Sequence, residues 1–303
     1  MIVVVCPGQG SQTPGFLAPW LELEGAREAI AAYSEAAGVD LAAAGTEWDA
    51  DQIRDTRVAQ PLIVAAGLLS WGALTADGAQ PAGVAGHSVG ELTALAATGV
   101  LTPTDAVRIV GERGRAMAEA AALEQSGMSA VVGGVEEQVV QAIADAGASP
   151  ANFNGGGQIV AAGSAAQLAA LADAAPRGAR VIPLQVAGAF HTAYMASAKE
   201  RLAAAAAAVG SIADPVLPLW SNSDGRQVST GTRAVELVVD QITNPVRWDL
   251  TMADFADRGV TGIIELAPAG ALIGLAKRGL RGVPSIAVKT PDDLAAAREL
   301  LAA

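Results

Sequence analysis

Short runs of apolar residues, each closed by glycine or proline, alternate along this chain with longer stretches whose apolar positions recur every three to four residues. The first run, Val3 to Cys6, reads as a buried strand ending in the loop Pro7-Gly8-Gln9-Gly10-Ser11-Gln12. Helical spacing predicts helices over 25–37 and 60–76, the second with Leu62, Leu68 and Leu69 on one face. Gly83-Val84-Ala85 is a second short strand, and another helix opens behind Gly86-His87-Ser88-Val89-Gly90-Glu91. Pro103 suits the first turn of a long helix running towards Glu124.

From Met128 the order changes. A strand over 129–132, a helix over 136–146, strands over 151–154 and 158–162 across a Gly155-Gly156-Gly157 turn, a helix over 165–175 and a strand over 180–184 make a βαββαβ series. That series predicts a small ferredoxin-like domain, 125–188, inserted in a main domain formed by 1–124 and 189–303. Beyond His191 a helix over 193–209, a strand over 217–221, helices over 232–242 and 249–258, strands over 263–266 and 286–288 separated by a helix, and a last helix from Pro291 resume the alternation. Short buried strands separated by helices predict an α/β fold, its main domain an α/β-hydrolase-like core with a short, mostly parallel sheet covered on both faces.

Composition narrows the class. Of 303 residues, 51% are hydrophobic and 17% charged, which suits a packed core and excludes disorder. Much of the apolar share is alanine, and no stretch reads as the roughly 20 bulky apolar residues of a membrane span. The first residues lack the basic stretch of a signal peptide, so a cytoplasmic location is expected. Cys6, the only cysteine, excludes an internal disulfide and a thiolate metal cluster and reads as an inert strand-end thiol; no metal or cofactor is expected. The net charge of −12 argues against a nucleic-acid partner, and nothing requires more than a monomer. An acidic ligand would need a local basic patch, for which Arg113, Arg115, Arg177, Arg180, Lys277, Arg278 and Arg281 are the candidates.

Gly86-x-Ser88-x-Gly90 between a strand and a helix has the form and context of a nucleophile elbow, with Ser88 at the corner. A serine hydroxyl needs a base, and the chain has two histidines. His87 adjoins the serine, and neighbouring side chains on a tight corner project apart, so His87 is expected to be a packing residue and His191 the base. Gly8-Gln9-Gly10 lacks the third glycine of a dinucleotide fingerprint, Thr13 standing there instead. It suits an oxyanion loop better, with the backbone N–H groups of Gln9 and Val89 over one carbonyl oxygen. Gly155-Gly156-Gly157 is followed by no lysine and reads as a hairpin turn.

Several motifs in one order point further. Pro7-Gly8-Gln9-Gly10-Ser11-Gln12, Gln60-Pro61, Gly86-His87-Ser88-Val89-Gly90-Glu91, Arg113-Gly114, Asn152-Phe153-Asn154, Gly188-Ala189-Phe190-His191, Gln241, Asn244-Pro245-Val246-Arg247-Trp248 and Pro268-Ala269-Gly270 follow the order seen in malonyl-CoA:acyl-carrier-protein transacylases. The chain resembles that family from residue 7 to about 275. The resemblance implies that Ser88 takes malonyl from malonyl-CoA and gives it to the phosphopantetheine thiol of an acyl carrier protein, with His191 as base and then acid. It also implies that the Gln241 carbonyl orients His191, that Arg113 pairs with the malonyl carboxylate, and that Gln60, Asn154 and Phe190 contribute to the substrate pocket. Phe190 and Val89 accompany malonyl selection over methylmalonyl in related acyltransferases of polyketide assembly. The family usually has glycine where Ala269 stands. Two other readings remain: a serine hydrolase or thioesterase, which shares elbow and base, and a binding module with a relic site.

Overall fold

The computed structural model describes residues 1–303 and contains ten strands. In chain order they are β1 (Ile2–Cys6), β2 (Gly83–Gly86), β3 (Ser126–Gly133), β4 (Ser149–Gly155), β5 (Gln158–Ser164), β6 (Ala179–Pro183), β7 (Leu219–Trp220), β8 (Val246–Arg247), β9 (Gly262–Glu265) and β10 (Ser285–Ala287). They form two five-stranded sheets. The first, in the order β10-β9-β1-β2-β7, is parallel throughout. Parallel neighbours need crossovers, and the helices that supply them leave every residue of β1, β2 and β9 buried. This is why those strands read as unbroken apolar runs. Glu265, the one charged residue among them, spends its carboxylate on the next helix, Ala271–Gly279, accepting N–H groups of Gly270, Leu272 and Ile273 at 2.8, 3.0 and 2.9 Å. At the end of β1 the Cys6 thiol is fully buried and burial pushes its pKa up, which makes it the inert group expected.

The second sheet has the order β6-β3-β5-β4-β8. β3 lies antiparallel to β5 and β6, and β4 antiparallel to β5. Its faces follow the two-residue period of a strand. Val131, Ile159 and Ala161 pack with Val139, Ile143 and Leu171 of the helices Glu136–Asp145 and Ala165–Asp173. The alternate residues Met128, Ala130, Val160 and Ala162 join the main core instead. A fifth strand, β8, adds parallel to β4 from far along the chain, so the small sheet is not confined to 125–188.

The helix Thr56–Thr75 corrects an expectation. By length and composition it is apolar enough to cross a membrane, where no such stretch was read from the sequence. Most of its residues are buried against the helices Gly90–Ala97 and Pro103–Leu123, and that packing accounts for its apolar composition. It begins four residues before the expected start because Asp55 caps it, accepting Arg57 N–H at 2.9 Å.

Candidate active site

The parallel sheet hands over to the helix Gly90–Ala97 at a corner that carries Ser88 in a left-handed conformation, φ 53°. Two glycines make that corner possible. A Cβ on Gly86 would lie 2.2 Å from the backbone of Gly90, and one on Gly90 would lie 2.2 Å from the carbonyl oxygen of Cys6. Both obstacles are main chain and cannot rotate away. The Ser88 N–H donates to Asn222 Oδ1 at 2.7 Å, which ties the corner to the loop after β7.

His191 reaches Ser88 from the returning chain, its Nε2 2.8 Å from Ser88 Oγ. Its Nδ1 lies 2.8 Å from the carbonyl oxygen of Gln241. A carbonyl only accepts, so Nδ1 carries the proton and Nε2 is free to accept the serine's. Burial, then the nearby Arg113 charge, lowers the His191 pKa to about 3, so the ring is neutral at physiological pH.

Arg113 lies on the helix Pro103–Leu123 and is 1% exposed. Its Nη1 donates to Gln60 Oε1 at 2.7 Å, and its Nη2 donates to Gln241 Oε1 at 2.9 Å and lies 3.5 Å from Ser88 Oγ. Its Nε has no partner. No carboxylate forms an ion pair with it, and burial brings its pKa down to about 10. Arg113 is therefore an interior charge and not part of a surface patch. Arg115 leaves the patch too, held by Glu112 at 3.1 Å and by the Ala37 carbonyl at 2.6 Å.

Serine, histidine and arginine open on a cavity of about 220 Å³ between the elbow and the small sheet. The sheet presents alternate residues to it: Met128 and Ala130 of β3, Asn152 and Asn154 of β4, Gln158 and Val160 of β5. Gln9, Gln60, Val89, Met117 and Phe190 complete the opposite wall. No backbone carbonyl engages the N–H of Gln9 or of Val89. The Gln9 side chain points to Arg54 and Thr56, with its Nε2 3.4 Å from the Arg54 carbonyl and from Thr56 Oγ1. His87 packs edge-on against Trp248, with Nε2 2.8 Å from Asn154 Oδ1, but contrary to expectation it is only half-buried and lines the cavity. An amide oxygen only accepts, so His87 donates Nε2–H to it; burial lowers the ring's pKa, and Asn154 is held facing the cavity with its Nδ2 donating to Gln158 Oε1 at 2.9 Å.

Two residues at the site went unread in the sequence. Glu91 is buried, accepts Asn222 N–H at 2.7 Å on Oε1 and accepts Gln241 Nε2 on Oε2. Burial raises its pKa to about 7. The signal was present, since Glu91 is the sole charge in the helix Gly90-Glu91-Leu92-Thr93-Ala94-Leu95-Ala96-Ala97. Asn222 donates from Nδ2 to the Gly86 carbonyl at 2.7 Å. Its only hint was a polar run, Ser221-Asn222-Ser223, at the carboxyl end of a parallel strand, where ligand crevices form.

Known proteins share this fold over the whole chain. The sequence model of the acyl transferase domain family matches residues 3–292. The chain is 51% identical over 297 residues to the malonyl CoA-acyl carrier protein transacylase of Mycobacterium tuberculosis H37Rv, covering 97% of this chain and 98% of that protein. Over 309 residues it is 35% identical to the protein of the same name from Escherichia coli K12, covering 98% of each. The crystal structure of the Mycobacterium tuberculosis transacylase superposes with a TM-score of 0.95 at 50% identity, covering 100% of both chains. A malonyl-transacylase solved with its type II polyketide acyl-carrier protein superposes at 0.91 with 30% identity, covering 99% of both. The chain belongs to the acyl transferase domain family, among the malonyl CoA-acyl carrier protein transacylases.

Proposed function

We propose that this protein transfers malonyl from malonyl-CoA to the phosphopantetheine thiol of an acyl carrier protein through a malonyl ester on Ser88. The observation that carries the reading is Arg113: a buried guanidinium without a carboxylate partner, 3.5 Å from the nucleophile's oxygen. Such a charge is costly to bury and is matched by an anionic substrate group, which a guanidinium grips with two N–H donors. The names of the relatives supply malonyl as that anion and the carrier protein as acceptor.

The steps follow from the geometry. His191 Nε2 takes the Ser88 proton as Oγ attacks the thioester carbonyl carbon. The carbonyl oxygen becomes an oxyanion over the N–H groups of Gln9 and Val89. Collapse breaks the carbon–sulfur bond, and His191 returns its proton to the departing thiolate of coenzyme A. The pantetheine thiol of the carrier then gives its proton to His191 and attacks the malonyl ester, and collapse returns Ser88 with the proton. The Gln241 carbonyl holds the ring's tautomer where no carboxylate touches the ring directly, which suffices because coenzyme A leaves as a thiolate.

The substrate also tunes the base. Arg113's charge is one cause of the low His191 pKa, so a malonyl carboxylate seated on Arg113 offsets it and makes His191 more basic when the substrate is in place. Gln60 holds one arm of the guanidinium, Asn154 and Phe190 face the acyl group, and Phe190 takes the space an α-methyl branch needs. The strand orders support an α/β-hydrolase-like parallel core with a ferredoxin-like insertion, β3 to β6 having the split βαβ arrangement.

Intact-mass measurement after mixing with malonyl-CoA, then with a phosphopantetheinylated carrier protein, tests the reading. The expected result is a malonyl gain on the enzyme that passes to the carrier, and no gain on Ser88→Ala. Release of free malonate in place of transfer would make the protein a hydrolase.

A further inference from the structure

Gln241 and Asn222 both answer to one carboxylate. Glu91 is the one acidic group near enough to act on Arg113's charge, yet its side chain meets neither the nucleophile, the base nor the guanidinium directly. Its Oε1 accepts Asn222 N–H at 2.7 Å, and Asn222 Oδ1 accepts Ser88 N–H at 2.7 Å. Its Oε2 accepts Gln241 Nε2. The Gln241 backbone oxygen then accepts His191 Nδ1–H at 2.8 Å, and its Oε1 accepts Arg113 Nη2 at 2.9 Å. We infer that Glu91 is the positioning residue of this site, fixing the nucleophile through Asn222 and both the base and the guanidinium through Gln241. The inference rests on the malonyl-transfer reading.

Ionised, as it is above about pH 7, Glu91 suits the task because both carboxylate oxygens accept and neither donates. Facing it, the Gln241 amide must turn its NH2 to Glu91, which leaves Oε1 for Arg113. A glutamine at position 91 has one accepting oxygen for two donors, so its own NH2 opposes either Asn222 N–H or the Gln241 NH2. If Gln241 turns over to escape, its NH2 faces the guanidinium. Distance matters as well. With an amide between them, Glu91 compensates Arg113 without occupying it, and the fork stays open to a substrate carboxylate. A direct ion pair would close it. The acid missing from the usual serine–histidine–acid series is thus present one residue removed, where it serves three groups instead of one.

The test is single-turnover acylation of Ser88 by malonyl-CoA, followed by intact mass, for wild type, Glu91→Gln, Asn222→Ala and the double variant, with circular dichroism to establish folding. In folded Glu91→Gln the rate at saturating malonyl-CoA should fall on the order of 100-fold, the effect of a misplacement near 1 Å, while the half-saturating concentration changes little. The double variant should be slower than Glu91→Gln by less than the loss Asn222→Ala shows alone, because both lie on one path to Ser88. A wild-type rate in folded Glu91→Gln, or fully additive losses, overturns the inference. Should Glu91→Gln not fold, Asn222→Ala decides: slow acylation at unchanged half-saturation upholds the path to Ser88, and a wild-type rate refutes it. Failure of the wild-type enzyme to gain malonyl mass would instead overturn the transfer reading.

Discussion

Arg113 holds its charge in the interior because the oxygens of Gln60 and Gln241 accept from its two arms, and the selectivity proposed for it would come from what they leave unmet. An acyl group without a carboxylate leaves the guanidinium buried and unpaired, at a cost of about 2–5 kcal/mol. Arg113→Ala should therefore lower kcat/KM for malonyl-CoA by about 30- to 5,000-fold and leave acetyl-CoA unharmed or improved, as steady-state rates with the two substrates would show. An unchanged malonyl-to-acetyl ratio would remove Arg113 from selection. Gly90 is constrained more simply. With the Cys6 carbonyl 2.2 Å from any Cβ, Gly90→Ala has to displace main chain, and thermal unfolding should show a loss of about 1–3 kcal/mol or more. At this scale the sequence was most readable where one residue type has few alternatives: a serine between two glycines, a base chosen from two histidines. Arg113 was legible only through the family's motifs, since a long helix carries arginines for many reasons. Asn222 was not legible, because its partner Ser88 lies 134 residues away and no local pattern couples them.

The elements followed the periodicity closely because each buries one consistent face or both. Only pieces too short to show a period escaped, above all the two-residue β8, whose place depends on pairing with β4. The turn between β9 and the helix Ala271–Gly279 has a local cost. Ala269 adopts φ 47°, a left-handed conformation that costs a residue with a Cβ about 1–2 kcal/mol. Glycine there avoids the clash but loses more freedom on folding. Ala269→Gly should stabilise by about 0.5–1 kcal/mol in urea unfolding, and a destabilised variant would mean that the methyl's burial outweighs the strain.

For the whole molecule, two buried groups make stability depend on pH in opposite senses. His191 stays unprotonated when folded down to about pH 3, whereas its ordinary value is 6.5. Between those values the unfolded chain binds the extra proton, so stability is lost as pH falls. Glu91, raised from 4.5 to about 7, holds its proton longer in the folded state, so stability declines as pH rises through that window. The two oppose one another where the windows overlap. His191→Asn removes only the first effect, so its stability relative to wild type should grow as pH is lowered from 6.5, measured by urea unfolding at a series of pH values. Parallel curves would show that the histidine titrates normally in the folded protein.

The short strand β8 has a mechanical meaning. It follows directly on the turn Gln241–Thr243 that supplies the histidine's acceptor, its Arg247 N–H donates to the Asn222 carbonyl at 2.8 Å, and it pairs with β4, which carries Asn152 and Asn154 into the cleft. The small sheet is thereby stitched to the segments that aim the base and brace the nucleophile's corner. A swing that widens the cleft for a bulkier acyl group must pull on that stitch. Under the proposed mechanism, cleft width and the alignment of Ser88 with His191 are therefore tied together, and a displacement that loosened selectivity would also cost competence.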